Sequence, residues 1–288
     1  MNILLTGADG QVGTALRPLL AARGTLTAID RLQLDLADTD AVRAAVRALR
    51  PGLIVNAAAY TAVDRAETEP DVAHAVNAVA PAVLAEEAAR LGARLVHYST
   101  DYVYDGAATR PYVEGDATGP LGVYGRTKLA GDEAVLASGA SAVILRTSWV
   151  YGAHGQNFLK TMLRLASDGR PAVRVVADQR GTPTSAVSIA EATAAAIGAR
   201  LAPGTYHLTD AGETTWHGFA QAIFRAAGLA TVAEPIPTAD YPTPAARPAY
   251  SVMDGAKWDA LGVYARPRWE DALARVLAEL GAPEPPRP

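Results

Sequence analysis

Five short apolar runs punctuate the first half of the chain, at 1–7 (MNILLTG), 25–30 (TLTAID), 53–58 (LIVNAA), 94–99 (RLVHYS) and 142–148 (AVILRTS). They are continuous rather than alternating, as expected of strands buried on both faces of a parallel sheet. Between them, residues 11–24, 40–50, 69–92 and 124–138 carry apolar side chains at helical spacing. This alternation predicts an α/β fold, a Rossmann-type doubly wound parallel sheet spanning residues 1–150. Beyond 150 the pattern loosens. Helices are predicted at 158–167 (FLKTMLRLAS) and 216–228 (WHGFAQAIFRAAG), and the Ala-rich stretch at 185–201 reads as a helix returning to the first unit. The Pro-rich segment 234–248 reads as irregular, so 151–288 is expected to be mainly a smaller second domain. Pro51, Pro171 and Pro203 fall at element boundaries, where a missing N–H does least harm.

Composition narrows the classes. With 288 residues the chain is one large or two modest domains and can bury about three quarters of its unfolded surface. A formal charge of −4 with no stripe of clustered Lys and Arg argues against a nucleic-acid partner. There is no cysteine, hence no disulfide, thiolate nucleophile or zinc-thiolate site. No apolar run reaches the roughly 20 residues needed to span a bilayer. The N-terminal run is too short for a signal peptide and lacks a basic lead-in, so a cytoplasmic protein acting on small molecules is expected.

The first chemical signal is Gly7-x-x-Gly10-x-x-Gly13, directly after a predicted strand and opening a predicted helix. Such glycines allow a tight turn and close backbone approach to a pyrophosphate, which rests on the helix N-terminus. Asp30 ends the second predicted strand, where a carboxylate receives ribose hydroxyls. Together these point to a bound dinucleotide. Arg31 beside it could accept the extra phosphate of NADP or be a solvated strand end, so NADPH and NADH both remain open. Asp35 could cap the following helix or lie near the adenine.

The second signal is Tyr124-x-x-x-Lys128, two side chains on one helix face. A phenol titrates near 10, and a neighbouring ammonium can bring it toward neutral pH. An isolated pair of this kind is more commonly a half-buried Tyr with a snorkelling Lys. The adjoining segment 97-HYSTDYVY sets Ser99 and Thr100 at the carboxyl edge of the sheet, where open α/β sheets bind ligands. Thr100 could there hydrogen-bond a carbonyl beside Tyr124.

These pieces, with NILLTGADGQVG, IVNAAAYTAVDRAE, HYSTDYVYDG, PLGVYGRTKLAGD, ILRTSWVYG, NFLKTMLRLA, DQRGTPT, YHLTDAGETTWHGFA and YPTPAARP, run through nearly the whole chain. The sequence resembles the extended short-chain dehydrogenase/reductases and, among them, the dTDP-4-dehydrorhamnose reductase family. The resemblance implies NAD(P)H-dependent reduction of the C4 ketone of a dTDP-linked 6-deoxy-4-hexulose, dTDP-4-dehydro-L-rhamnose, to dTDP-L-rhamnose. It further implies that Gly10, Gln11 and Val12 line the pyrophosphate turn, with Asp30, Asp35 and Leu36 at the adenosine end and Ala59, Tyr60 and Thr61 beside the cofactor. Tyr60 stands where some relatives have His. Tyr124 would donate the proton, Lys128 would hold the nicotinamide ribose and lower the phenol's pKa, and Thr100 would polarise the ketone. Asp101 and Trp149 would contact the hexulose; Asn157, the 178–184 loop and Arg247 would take the nucleotide and its phosphates. Asn77 resembles the superfamily Asn that organises a water or the lysine, the alternative being a plain helix-face Asn.

Rival functions leave different marks. A 4,6-dehydratase of the superfamily carries an Asp-Glu pair after the Thr, whereas Thr100-Asp101 is followed by Tyr102. A nucleotide-sugar 4-epimerase shares the Thr, Tyr and Lys and would retain its cofactor. A non-catalytic partner resembling the regulatory subunit of methionine adenosyltransferase need not turn over at all. His74, His97, His154, His207 and His217 show no metal-ligand spacing and read as surface or satisfied core residues, so no metal is expected. A homodimer is open, but the carboxylates with which some relatives bridge a dimer through a cation are replaced by Ala15 and Val187.

Overall fold

The computed structural model describes residues 1–281; residues 282–288, the end of the expected second domain, lie outside the described residues. In chain order the main elements are β1 (Asn2–Thr6), α1 (Gln11–Ala21), β2 (Thr25–Ile29), α2 (Thr39–Leu49), β3 (Leu53–Asn56), α3 (Ala80–Leu91), β4 (Arg94–Thr100), α4 (Val123–Ala137) and β5 (Ser141–Thr147). They are followed by α5 (Phe158–Ser167), α6 (Ala186–Gly198), β6 (Gly204–His207), α7 (Trp216–Ala226) and α8 (Trp269–Glu279). The strands form one parallel sheet of order β6-β5-β4-β3-β1-β2. The order reverses at β1 and β3, and that switch point opens a crevice at the carboxyl ends of the strands.

Alternate residues of each strand feed opposite cores. Ile3, Leu5, Leu53, Val55 and Val96 pack with Leu16, Leu20, Ile189 and Ala190 of α1 and α6. Leu4, Ile54, Leu95 and Ile144 pack with Val42 and Val46 of α2 and Val83 and Leu84 of α3. Burial on both faces explains why these strands read as unbroken apolar runs.

All five predicted strands form, and a sixth, β6, joins from beyond residue 150, beside β5. Its sequence, GTYH, is too short and too polar to announce a strand; β5 recruits it. The predicted helix at 69–92 is three pieces, an α turn at Pro70–His74, a π segment at Ala75–Val79 and then α3. A second lobe has its own core of Tyr151, Leu159, Met162, Phe219, Ile223, Trp269 and Leu273. Within it the predicted irregular segment begins as a strand, Val232–Ile236, paired in parallel with Ala172–Val176. Pro235 is tolerated there because this strand has one neighbour only, leaving an edge with no N–H required.

Candidate active site

The glycine turn is forced by close packing. Gly7 has φ +68°, and a Cβ on it would lie 2.6 Å from the Ala57 carbonyl carbon and the Ala58 nitrogen at the end of β3. A Cβ on Gly13 would lie 2.0 Å from the Gly7 carbonyl oxygen. Gly10 caps α1 without a side-chain hydrogen bond, and no acid occupies the first turn, so the helix presents its N–H groups and positive end outward. The turn forms one end of a cleft of about 480 Å³ whose walls include Gly7, Gly10, Gln11, Val12, Asp30, Arg31, Asp35 and Leu36. Ala59, Tyr60, Thr61, Ser99, Tyr124 and Lys128 line the remainder. Gly13 supports the turn from beneath. The motif could not announce Leu34, Val72, Val76, Gly155 and Gln156, which also face the cleft; only the Gly-rich GAHGQ string hinted at the last two.

At the β2 end, Asp30 Oδ1 accepts from the N–H groups of Leu32 and Gln33, at 2.7 and 3.0 Å. Arg31 is exposed beside it. Asp35 does not cap α2; Asp38 does, accepting from Ala41 N–H at 3.0 Å, while Asp35 turns to its own loop and bonds Ala37 N–H. Asn77, in the π segment, clamps the Tyr60 backbone from both sides: its Oδ1 accepts from Tyr60 N–H at 2.8 Å and its Nδ2 donates to Tyr60 C=O at 3.1 Å. The extra π residue aims this side chain into the β3 loop. The Tyr60 phenol donates to Glu69.

Tyr124 and Lys128 meet at the cleft floor. Lys128 is 2% exposed and donates to the Tyr98 carbonyl at 2.6 Å. Burial draws its pKa down to about 8, and Asp132 opposes that pull. Lys128 is not among the groups that shift the Tyr124 phenol in this structure. Burial pushes the phenol up to about 12, with the Thr100 hydroxyl working the other way. The lysine's ammonium is turned toward the Tyr98 carbonyl and His97, so desolvation of the phenol dominates. The Tyr102 ring stands edge-on to Tyr124, with centroids 5.5 Å apart.

The remaining predicted residues lie outside the dinucleotide cleft itself. Thr100 donates to Asp101 Oδ1 at 3.0 Å and accepts from Tyr102 N–H. Asp101 is buried, its carboxyl pushed up to about 6 by desolvation, and its Oδ2 has no hydrogen-bond partner among the described residues. Trp149 has φ +46°, stacks on Trp216 with centroids 3.6 Å apart, and lies against Gly181, where any Cβ would collide with its indole. Arg247 pairs with Asp64 at 2.9 Å, and its Nη1 is buried without a partner among the described residues. Asn157 is fully engaged within the protein. Its amide donates to Gln11 Oε1 and the Gly152 carbonyl, both at 2.8 Å, and its oxygen caps α5, so it brackets the glycine turn to the second lobe instead of standing free for a nucleotide. Ala15 and Val187 share a separate groove of about 320 Å³ between α1 and α6. Among the described residues no three His, Cys, Asp or Glu side chains cluster as metal ligands, and no helix is long and apolar enough to cross a membrane.

A glycine turn at the switch point of a parallel sheet, with a buried Tyr-Lys pair across the same cleft, defines a Rossmann-type protein of the short-chain dehydrogenase/reductase kind. A family model described as RmlD substrate binding domain matches residues 1–282, and the chain belongs to that family. It is 45% identical to dTDP-4-dehydrorhamnose reductase of Salmonella typhimurium, over 97% of this chain and 98% of that protein. Among solved structures, the dTDP-4-dehydrorhamnose reductase of Clostridium acetobutylicum superposes with a TM-score of 0.94 at 37% identity, covering 98% of this chain and 100% of that one. The Bacillus anthracis enzyme of the same name, in complex with NADP, gives 0.92 at 36% identity, covering 96% and 99%.

Proposed function

We propose that this protein reduces the C4 ketone of dTDP-4-dehydro-L-rhamnose to the alcohol of dTDP-L-rhamnose with NADPH. The observation that carries the reading is the convergence of Tyr124 and Lys128 on the cleft headed by the glycine turn, in a chain 45% identical to a reductase of that name. The cleft suits a dinucleotide, because its head is closed to any side chain at Gly7 and offers helix N–H groups to a pyrophosphate. When bound, the reduced nicotinamide supplies the hydride. NADPH is favoured because Asp30 is turned inward to its own loop while Arg31 is exposed beside it and can meet a 2′-phosphate.

The chain's residues then hold and move the proton. Tyr124, protonated well past neutral pH, is poised to donate to the oxygen at C4. Thr100 can rotate its hydroxyl from Asp101 onto that oxygen. Lys128 offers a cation at the cleft floor for the ribose hydroxyls. Trp149, backed by Trp216, forms a wall for the sugar, and the unpartnered Arg247 Nη1 answers the diphosphate. A two-lobed division near residue 150, with α6 and β6 returning to the cofactor lobe, suits this sharing of tasks. A cytoplasmic site of action suits a reaction that consumes NADPH.

The test is an absorbance assay of NADPH and NADH against dTDP- and UDP-linked 4-keto-6-deoxyhexoses. We expect the NADPH and dTDP combination to turn over fastest, and Tyr124→Phe to lose at least about 100-fold, the lower range for a positioned acid. Unchanged turnover in that variant rejects Tyr124 as the donor; absence of cofactor oxidation with every ketosugar rejects the reductase reading.

A further inference from the structure

Behind Lys128 lies a buried imidazole whose orientation is dictated from its other side. His97, on β4, is 0% exposed. Its Nδ1 lies 3.1 Å from Asn56 Nδ2, and its Nε2 lies 3.3 Å from Lys128 Nζ and 3.8 Å from Asp132 Oδ1. Asn56 cannot turn round. Its Oδ1 accepts from the Ala58 backbone N–H at 3.3 Å and from the Thr6 hydroxyl at 2.7 Å. A backbone N–H can only donate, so the amide oxygen must stay on that side and the amide NH2 must face His97. Nδ1 therefore accepts, and the single ring proton of the neutral imidazole sits on Nε2. Burial holds that ring neutral by drawing its pKa far down, and the Lys128 charge adds to the effect.

An Nε2–H aimed at Lys128 meets a group whose chemistry depends on charge. An ammonium has three donors and no lone pair, so the contact sets donor against donor; a neutral amine accepts the bond. The other groups packed round the lysine do not cancel this. Asp132, also on α4, attracts the ammonium, but its Oδ2 is taken by the Ser99 hydroxyl and by Arg146 of β5. The Tyr98 carbonyl of β4 accepts one lysine proton, and Tyr124 lies one helical turn away on the cleft side. Asp132 Oδ1, without a hydrogen-bond partner among the described residues, remains as the other acceptor toward which Nε2–H can lean.

We propose that Asn56 and His97 are positioning residues for Lys128, keying the imidazole so that a proton and not a lone pair faces the lysine nitrogen. The pair thereby eases release of the lysine's own proton and makes Lys128, not Tyr124, the group that sets the alkaline limit of the cleft. The sign follows directly. Lys128 is an ammonium below about 8 and an amine above it, whereas Tyr124 keeps its proton to about 12. The proposal rests on the reductase reading only in taking Lys128 to hold the cofactor.

The first test needs no substrate. Full-length protein carrying 15N-labelled histidine, free of ligand, should show His97 as the neutral Nε2–H tautomer from pH 6 to 9; an Nδ1–H tautomer or an imidazolium overturns the proposal. The second is Asn56→Asp, which is isosteric, keeps an acceptor for Ala58 and Thr6, and turns a second oxygen toward Nδ1. It should draw the ring proton to Nδ1 and give the ammonium an acceptor at Nε2. The alkaline midpoint for NADPH affinity, and that for kcat/KM, should then rise by at least about one pH unit. An unmoved midpoint, or a retained Nε2–H in the variant, overturns the proposal; if the variant does not fold, the wild-type tautomer decides. A shift in NADPH affinity without ketosugar turnover would remove the reductase reading and leave this one standing, while normal turnover with an unmoved midpoint would do the reverse.

Discussion

Arg247 puts the chemistry of the second lobe into one side chain. Its Nη2 is held by Asp64 from the first lobe, and its Nη1 is buried with no partner among the described residues. A buried donor left idle on a half-buried guanidinium is costly unless something arrives to accept from it. Arg247→Gln should raise KM for the ketosugar nucleotide by roughly 10- to 100-fold, the worth of about 1.5–3 kcal/mol for hydrogen bonds to a charged group. NADPH affinity should hardly change. A KM for sugar nucleotide equal to the wild type in steady-state kinetics would remove Arg247 from the diphosphate. At this scale the sequence was legible where a candidate sits in a strand-end loop or the first turn of a helix, and Gly7, Asp30 and Tyr124 all line the cleft. It was mute where a polar residue interrupts a strand. His97 read only as a surface or satisfied core residue and Asn56 only as part of an apolar run, and it is the packing of β3 on β4 and of α4 over them that makes them neighbours.

Among the elements, α4 and the π segment depend on each other. Gly131 of α4 faces the Asn77 carbonyl so closely that a Cβ would lie 2.1 Å from its oxygen. Asn77 Nδ2 also donates to Thr127 at 3.2 Å. This one contact therefore sets both the loop clamp at Tyr60 and the height of Lys128 over the cleft. Gly131→Ala should push α4 away, lowering stability by about 1–3 kcal/mol in urea unfolding, the usual cost of overpacking. Activity should fall further than stability accounts for. A variant with a wild-type urea midpoint would mean that the two elements part without strain. The helical period of 69–92 was evident from sequence, but its π insertion was not. One extra residue in a turn leaves the apolar spacing almost intact, and it is the tertiary pull of Tyr60 on Asn77 that makes use of it.

For the whole molecule, pH acts through carboxyls that folding buries. Asp210, just beyond β6, accepts from the Ser185 N–H that opens α6, at 2.9 Å, and burial lifts its pKa to about 7. An unfolded Asp titrates near 3.9. The native state thus binds a proton that the unfolded chain has released, and stability present below about 4 is lost as pH rises through 7. Asp101, lifted to about 6, adds a slope of the same sign. Asp210→Asn keeps an acceptor for Ser185 and removes the titration, so Tm should rise at pH 8 and not at pH 4. A gain of even about 1 kcal/mol would show as roughly 2–4 °C. Equal shifts at both pH values would place the effect elsewhere. Asp210 is out of reach of sequence reasoning because it is buried only once β6 joins the sheet.

That late strand carries a practical consequence. Between β5 and β6 the chain leaves to build α5 and the loop against Trp149, then comes back through α6 to complete the sheet's edge. A gene fragment ending at residue 150 would encode a sheet with a raw flank at β5 and α1 stripped of its neighbour, a poor candidate for expression by itself. Anyone wishing to graft the sugar-selecting half of a relative onto this cofactor platform must exchange two separate stretches on either side of α6 and β6, leaving that returning loop of native sequence in place.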